Sequence, residues 1–485
     1  MDINDNIKKL KTIKSIISAL KFDLLTKMPI TGALQRHSQV NWLYDKLYEI
    51  LESYSISEID AKLDQCVNPL EQRNIVLYKR AMVEYSIINK ELKDKIENAK
   101  IKTEVLWRRA REECDFNIVS HSFRELVRLY REYANKLSEY YRISPYESLL
   151  RNYDFCCSEK VVDKLFTEVK EGILVIRNHV LDEQYEKHKI IYDRVRHIKI
   201  PHKKTLIKNI IKSIGFNLEK GCIAYSTHPF CIGSYDDVRI VLSKYDKHII
   251  SIVGALIHET GHALYSQNLP NIHINDLIGD FAGDVIHESQ ALLWEFCIGR
   301  SKVFSEYLAQ ILYKICGIKM EPYDYFTAVN YVQNGRSRLD SDELSYAIHI
   351  IMRYEIEKCL INGEVDVSDV PELWRVLTKK YNISCSRLGC LEDIHWYMGH
   401  VGYFPLYLLG AIYAAQFYNT LLSRINSDLL KCEFNGIVRK LSKIIYTKGN
   451  LYDSSVLIKK VTGIDICSTF YLQNLKDKYY DFGSI

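Results

Sequence analysis

Apolar residues recur every three to four positions through most of this chain, and only nine prolines and 21 glycines are available to interrupt 485 residues. That period is the mark of helices that each bury one stripe, and so few breakers leave room for long ones. Ile7, Leu10, Ile13, Ile16, Ile17 and Leu20 line one face of a helix over 7–20. Residues 91–111 are densely charged around Leu92, Ile96 and Ala99, which predicts a long and mostly solvated helix. Residues 206–214 and 302–316 also read as helical. One region departs from the pattern: 222–230 and 238–242 have strand composition and are joined by Gly233-Ser234-Tyr235-Asp236. No Gly/Ser or Pro linker, repeat or low-complexity segment divides the chain. The expectation is a mainly α fold, one domain over residues 1–485, with a small β-sheet flooring the site.

The formal charge of +4 is slight, and Lys and Arg are interspersed with Asp and Glu, which argues against a nucleic-acid partner. Thirteen cysteines are scattered without a repeated spacing, and neither Cys156-Cys157 nor Cys385 with Cys390 fits a zinc or redox template. Buried thiols in a reducing compartment account for them. Met1-Asp2-Ile3-Asn4-Asp5 lacks the basic and apolar regions of a secretory signal. The longest nearly apolar stretch, 403–417, carries Pro405 and Gln416 and reads as a buried helix, not a membrane span. A soluble, cytoplasmic protein with no membrane partner is expected.

The chemistry concentrates in His258-Glu259-Thr260-Gly261-His262. Two imidazoles four residues apart on a helix stack on one face and can offer two nitrogens to one divalent cation. Glu259 does not share that face, but it can reach a water activated there, which makes it the candidate general base. The run Ile249-Ile250-Ser251-Ile252-Val253-Gly254-Ala255-Leu256-Ile257 before the motif is that of a buried helix over 248–267. Burying imidazoles is costly unless each nitrogen finds a partner, and a metal supplies one. After a break at 268–275 carrying Pro270, a second helical run starts near Asp276 and contains His287-Glu288-Ser289-Gln290-Ala291-Leu292-Leu293-Trp294-Glu295. A catalytic zinc takes three protein ligands and keeps one position open. Glu288 completes such a set. Glu295 and Asp284, one or two turns away, are alternatives, either as the ligand or as acceptors for an imidazole N–H. The opposing reading is a core His pair beside unrelated helix carboxylates.

Further segments extend the pattern in order. They are His228-Pro229-Phe230, Asp237-Val238-Arg239-Ile240-Val241, Arg338-Leu339-Asp340-Ser341-Asp342, Gly389-Cys390-Leu391-Glu392-Asp393-Ile394-His395-Trp396 and Gly402-Tyr403-Phe404-Pro405. Together with the two metal segments they resemble the carboxypeptidase Taq family of metallopeptidases, nearly end to end. Weaker echoes lie at Met28-Pro29, Trp107-Arg108 and Pro145-Tyr146. The resemblance implies His258, His262 and Glu288 as metal ligands and Glu259 as base. It implies one divalent ion per chain, Zn2+ first, with Co2+ or Mn2+ also suited to such a site. It also implies a single helical saddle with a deep central groove, similar to angiotensin-converting enzyme and neurolysin, and pairing as a homodimer. The family's activity is removal of C-terminal residues from peptides, with broad tolerance except at proline. Val241, Ser341 and Glu392 depart from the family's usual Thr, Ala and Gln, and Glu392 adds a negative charge that puts substrate preference in doubt.

Within that resemblance, His395 and Tyr403 are candidates to donate hydrogen bonds to the developing oxyanion, with Tyr407 as understudy. An exopeptidase must also hold the terminal carboxylate of a peptide with a free C-terminus, and the planar fork of Arg suits this. Arg338 is the first choice and Arg239 the second. The opposing reading for Arg338 is a structural ion pair with Asp340 or Asp342. His228 precedes a proline that favours an extended backbone, so its ring either lines the pocket or makes a structural hydrogen bond. The runner-up activity is an endo- or dipeptidyl-peptidase of similar architecture. A helical binding protein without catalysis is the reading from another class.

Overall fold

The computed structural model describes residues 2–480 apart from 184, 185, 247, 334, 336, 339, 340 and 385. The chain folds into two compact units, each assembled from separated stretches: Met1–Ser86 with Glu186–Val329 and Tyr413–Ile466, and Ile87–Tyr185 with Asn330–Ile412 and Cys467–Ile485. Both are helical, and the first also holds one three-stranded sheet.

In the first unit the N-terminal helix runs Ile3–Thr26, longer at both ends than the stripe over 7–20 predicts: the Asp2 carboxylate accepts from Asn4 N and caps its start, and Phe22 is buried on the sheet near its end. It packs on Ala33–Leu51 through Ile17, Val40 and Leu43, and through Ile7, Leu10, Leu47 and Leu51 with Ile59, Ile75 and Tyr78. The strand composition over 222–230 resolves into two strands, β1 (Gly221–Ser226) and β2 (Phe230–Ser234), because the chain bends at 227 and 228, just before Pro229. β3 (Asp237–Ser243) lies between them, parallel to β1 and antiparallel to β2. Phe22, Ala224 and Val241 pack together on this sheet with Phe230 and Ile232.

Helix Ile249–Gln267 follows the sheet and packs against β2 and β3. The second run starts later than Asp276: 3-10 turns occupy Asn271–His273 and Leu277–Gly279, and the helix proper is Asp284–Leu292. Gly283, at φ 90°, takes a backbone conformation costly for other residues, and the helix begins immediately after it. The two helices touch where Gly261 meets the partner backbone: a Cβ at 261 would lie 2.7 Å from Ala291 Cα and 2.8 Å from Gln290 O. Only glycine permits that approach, and it brings Glu288 to the His pair.

The second unit pairs Lys90–Glu113 with Asn117–Tyr141 and packs Glu343–Asn362 against Asn117–Tyr141, Pro145–Leu150 and Glu159–Glu183. Helix Glu343–Asn362 is buried almost along its whole length and is capped by Asp342, whose carboxylate accepts from Leu344 N and Ser345 N. Trp107 donates to Leu391 O at 2.9 Å, tying the first of these helices to the segment that leads into His395. Helix Phe404–Leu430 supplies its opening residues, 404–412, to this unit.

Among the described residues no helix is long and apolar enough to cross a membrane. The described cysteines are all free thiols, but only Cys157 and Cys390 are buried; Cys114 and Cys222 are exposed and the rest lie between. The expectation of uniformly buried thiols therefore gives way to scattered, mostly half-buried ones.

Candidate metal centre

His258 and His262 project from one face of Ile249–Gln267, and Glu288 projects toward them from Asp284–Leu292. Their ligand atoms all lie within 4.8 Å of one another. His262 Nε2 is 3.4 Å from Glu288 Oε2, and His258 Nε2 is 4.0 Å from Glu288 Oε1. Tetrahedral zinc bonded at ~2.0–2.2 Å sets its donor atoms about 3.3–3.6 Å apart, so one ion fits with small adjustment. The surroundings also call for a cation. Glu288 Oε1 and Glu259 Oε2 are buried without a hydrogen-bond partner. Burial opposes a charge on His258, yet Glu288 and Glu295 outweigh it and lift its pKa to about 10. A pocket that holds a proton so tightly favours positive charge, and metal binding releases that proton. Two imidazoles and a carboxylate suit zinc, and also cobalt or manganese.

Glu295 is not in that set. Its Oε2 lies 2.9 Å from His258 Nδ1 and its Oε1 accepts from Arg300 Nη2 at 3.2 Å. An ionised carboxylate only accepts, so Nδ1 carries the proton and Nε2 keeps its lone pair for the metal. Glu295 sits in a π-helical stretch, Leu293–Gly299, whose wider turn follows directly on the ligand helix. Glu295→Gln is expected to weaken metal affinity by roughly 10–100-fold, measured by competition with a chromophoric chelator. Unchanged affinity would remove it as the orienting group.

His262 is braced differently: His287 stacks on it with ring centroids 4.3 Å apart. Burial and the neighbouring His262 hold the His287 pKa well below the ordinary value, so this ring is neutral. Glu259 is 5% exposed, and burial raises its pKa against the pull of His258 and His262.

A second cluster lies in the other unit. Asp393 accepts from two arginines: Arg338 through Nε (3.3 Å) and Nη2 (3.0 Å) on Oδ1, and Arg353 through Nε (2.7 Å) on Oδ2. Burial opposes the Asp393 charge, but Arg353 and Arg338 hold its carboxyl well below the usual range. The Arg338 guanidinium sits 5.0 Å from the Tyr407 ring centre. His395 Nε2 is 3.3 Å from Tyr407 Oη, and the His395 ring is stacked with Tyr403 at 5.8 Å. Its Nδ1 comes within 3.8 Å of Asp393 Oδ1, but burial and Arg338 drive the His395 pKa to about 3, so the ring is neutral and this is no ion pair.

Residues 2–479 match the family model of the carboxypeptidase Taq (M32) metallopeptidases. This chain belongs to the carboxypeptidase Taq (M32) family. It is 27% identical to carboxypeptidase 1 of Bacillus subtilis (strain 168) over 493 residues, covering 98% of this chain and 97% of that protein. It is 27% identical to thermostable carboxypeptidase 1 of Thermus thermophilus over 500 residues, 96% and 95% of the two chains. The solved structure of Trypanosoma cruzi metallocarboxypeptidase 1 superposes with a TM-score of 0.92 at 26% identity, covering 99% of this chain and 98% of that one. Membership makes the protein a metallocarboxypeptidase of mainly α fold.

Against that identity, the candidate site residues of this M32 sequence fall into two groups. His258, His262, Glu288 and Glu259 converge in one unit; Arg338, His395, Tyr403 and Tyr407 converge in the other. Arg239 is committed to Asp237 by a two-pronged fork (2.7 and 2.8 Å) and covers Phe22. His228 is exposed on the bend between β1 and β2, and the structural hydrogen bond weighed for it has no partner among the described residues. Arg338 does pair with an aspartate, but with Asp393; Asp342 is occupied as a helix cap, and Leu339 and Asp340 lie outside the described residues. The three departures from the family pattern are absorbed locally. Val241 is buried among apolar side chains, Ser341 Oγ donates to Ser337 O at 2.7 Å, and Glu392 accepts from Arg353 at 3.1 Å. The negative charge that Glu392 introduces is thus set against a buried arginine. Arg353, Arg300 and Glu357 were not marked by the sequence, because no motif spacing singles them out.

Proposed function

We propose that this metallocarboxypeptidase releases single residues from the C-terminus of peptides, with broad side-chain tolerance and poor release of proline, using one divalent ion, Zn2+ first, held by His258, His262 and Glu288. The observation that carries the reading is the convergence of those three ligand atoms beside a buried carboxylate, Glu259, with an unpartnered oxygen. When bound, the metal supplies Lewis acidity that polarises the scissile carbonyl and acidifies the attacking water. Glu259 takes the proton from that water and returns it to the leaving amine. His395, neutral at pH 7, and Tyr403 donate hydrogen bonds to the oxyanion, with Tyr407 as their neighbour. Arg338 engages Asp393 through Nε and Nη2, which leaves Nη1 for the terminal carboxylate of the substrate. Arg239, forked onto Asp237, is the weaker choice for that role. The whole chain, 1–485, acts as one peptidase module, working as a cytoplasmic homodimer by likeness to the family.

Mass spectrometry of short-peptide digests tests this reading. Stepwise single-residue losses from the C-end, abolished by a chelator and restored by Zn2+, are expected. Dipeptide release or internal cuts would move the protein to the endo- or dipeptidyl-peptidase reading, and no cleavage with metal bound would leave a binding protein. Arg338→Ala is expected to raise KM for free-C-terminus peptides about 10- to 100-fold, the loss of a charge-assisted hydrogen bond, while metal content stays at wild-type level. Equal KM in the two proteins would dismiss the clamp.

A further inference from the structure

We infer that Glu357 is a positioning residue whose buried carboxylate fixes the two ends of the segment between His395 and Tyr403. The inference rests on the hydrogen-bonding roles proposed for those two side chains.

Glu357 lies in helix Glu343–Asn362 and is 1% exposed. Three donors converge on it: Tyr146 Oη on Oε1 at 2.9 Å, Trp396 Nε1 on Oε2 at 2.7 Å, and the backbone N–H of Gly402 on Oε1. No Lys or Arg forms an ion pair with it among the described residues. A buried carboxylate without a counter-charge is costly, and the burial pushes its pKa up to about 7 even against three donors. An apolar side chain at 357 would leave all three donors unpaired. A glutamine would offer one oxygen and turn an N–H toward a donor.

The donors have a common address. Trp396 follows His395, and Gly402 precedes Tyr403, so one carboxylate pins both ends of 396–402. Gly402 is at φ 84°, and a Cβ there would lie 2.9 Å from Leu149 O, so only glycine presents its N–H in this way. One turn earlier on the same helix, Arg353 holds Asp393, two residues before His395. The helix therefore grips His395 from both sides in sequence. Tyr146 and Trp396, which the sequence marks only as parts of family segments, acquire a physical task here.

Glu357→Gln, with Tyr146→Phe as a milder second variant, tests the inference at pH 8, where the carboxylate is ionised. Glu357→Gln is expected to lower kcat about tenfold or more, with KM within about threefold and metal content unchanged, and Tyr146→Phe to lower kcat severalfold. In a His395→Ala/Tyr403→Phe background the same Glu357→Gln change is expected to alter kcat less than about twofold, because it acts only through those groups. Wild-type kcat in Glu357→Gln, or an undiminished fall in the double-variant background, would overturn the inference. If His395→Ala and Tyr403→Phe themselves leave kcat unchanged, their proposed roles fail, and the clamp is then judged by NMR of the tryptophan indoles. Hydrogen exchange at Trp396 Nε1 should accelerate about tenfold or more in Glu357→Gln. Unchanged exchange would show that the carboxylate holds nothing.

Discussion

Glu259→Gln is expected to lower kcat by roughly two to four orders of magnitude while the chain keeps its full complement of metal. The substitution preserves the shape of a side chain that is 5% exposed and removes its negative charge and its capacity to accept a proton. In the proposed site the ion is held by His258, His262 and Glu288, so its binding is expected not to depend on residue 259. Steady-state kinetics on a C-terminally free peptide, paired with elemental analysis of the same sample, separates the outcomes. Activity within a few-fold of wild type would remove Glu259 from proton transfer, and loss of the metal along with activity would make it a ligand.

Arg353→Met is expected to destabilise the protein by about 3–5 kcal/mol, a large share of the ~5–15 kcal/mol that holds an ordinary domain together. Arg353 is fully buried, donates to both Asp393 and Glu392, and lies 4.6 Å from the Trp374 ring centre. Methionine fills most of the volume but leaves two carboxylates facing one remaining cation, Arg338. The sign of the pH dependence follows from Asp393, whose pKa is held low in the folded chain by Arg353 and Arg338 against the effect of burial. Its contribution is present above the unfolded value of 3.8 and is lost as the pH falls through the folded one. The gap between variant and wild type should therefore be widest near neutrality and narrow below pH 3.8. Chemical denaturation across that range measures it; a gap of under about 1 kcal/mol at pH 7 would mean the pairing contributes little net stability.

How much of this was legible beforehand depended on whether the signal was local. Helix Lys302–Cys316 has the bounds that its periodicity predicts, and helix Ile249–Gln267 differs from its predicted span by a single residue. The shared face of His258 and His262 was legible too, because four-residue spacing on a helix dictates it whatever surrounds the pair. The start of the second helix was not: Leu277 and Ile278 carry helical periodicity, yet Asn74 Oδ1 accepts from Ile278 N and Tyr265 Oη from Ala282 N, so distant side chains satisfy a backbone that makes one 3-10 turn and never becomes α-helical. That Arg338 pairs with Asp393 was missed for the same reason. Asp340 and Asp342 are near in sequence, while Asp393 is near only in space. Helix Glu343–Asn362 gives the clearest case of a signal without an address. His349, Arg353 and Glu357 stand four apart and so share one face of the helix, but Glu355 and Lys358 interleave with them and nothing local names Asp393, Trp396 or Gly402 as what that face meets.

The way the chain weaves between its two bodies has a consequence for biosynthesis. The helices that carry His258 and Glu288 emerge from the ribosome long before 413–466, yet Tyr446 from that late stretch packs at a tilt against Tyr265 and accepts from Trp294 Nε1, and Phe434 meets the Trp294 ring. The aromatic contacts that these two segments make with Phe434 and Tyr446 can form only once that late stretch has been synthesised.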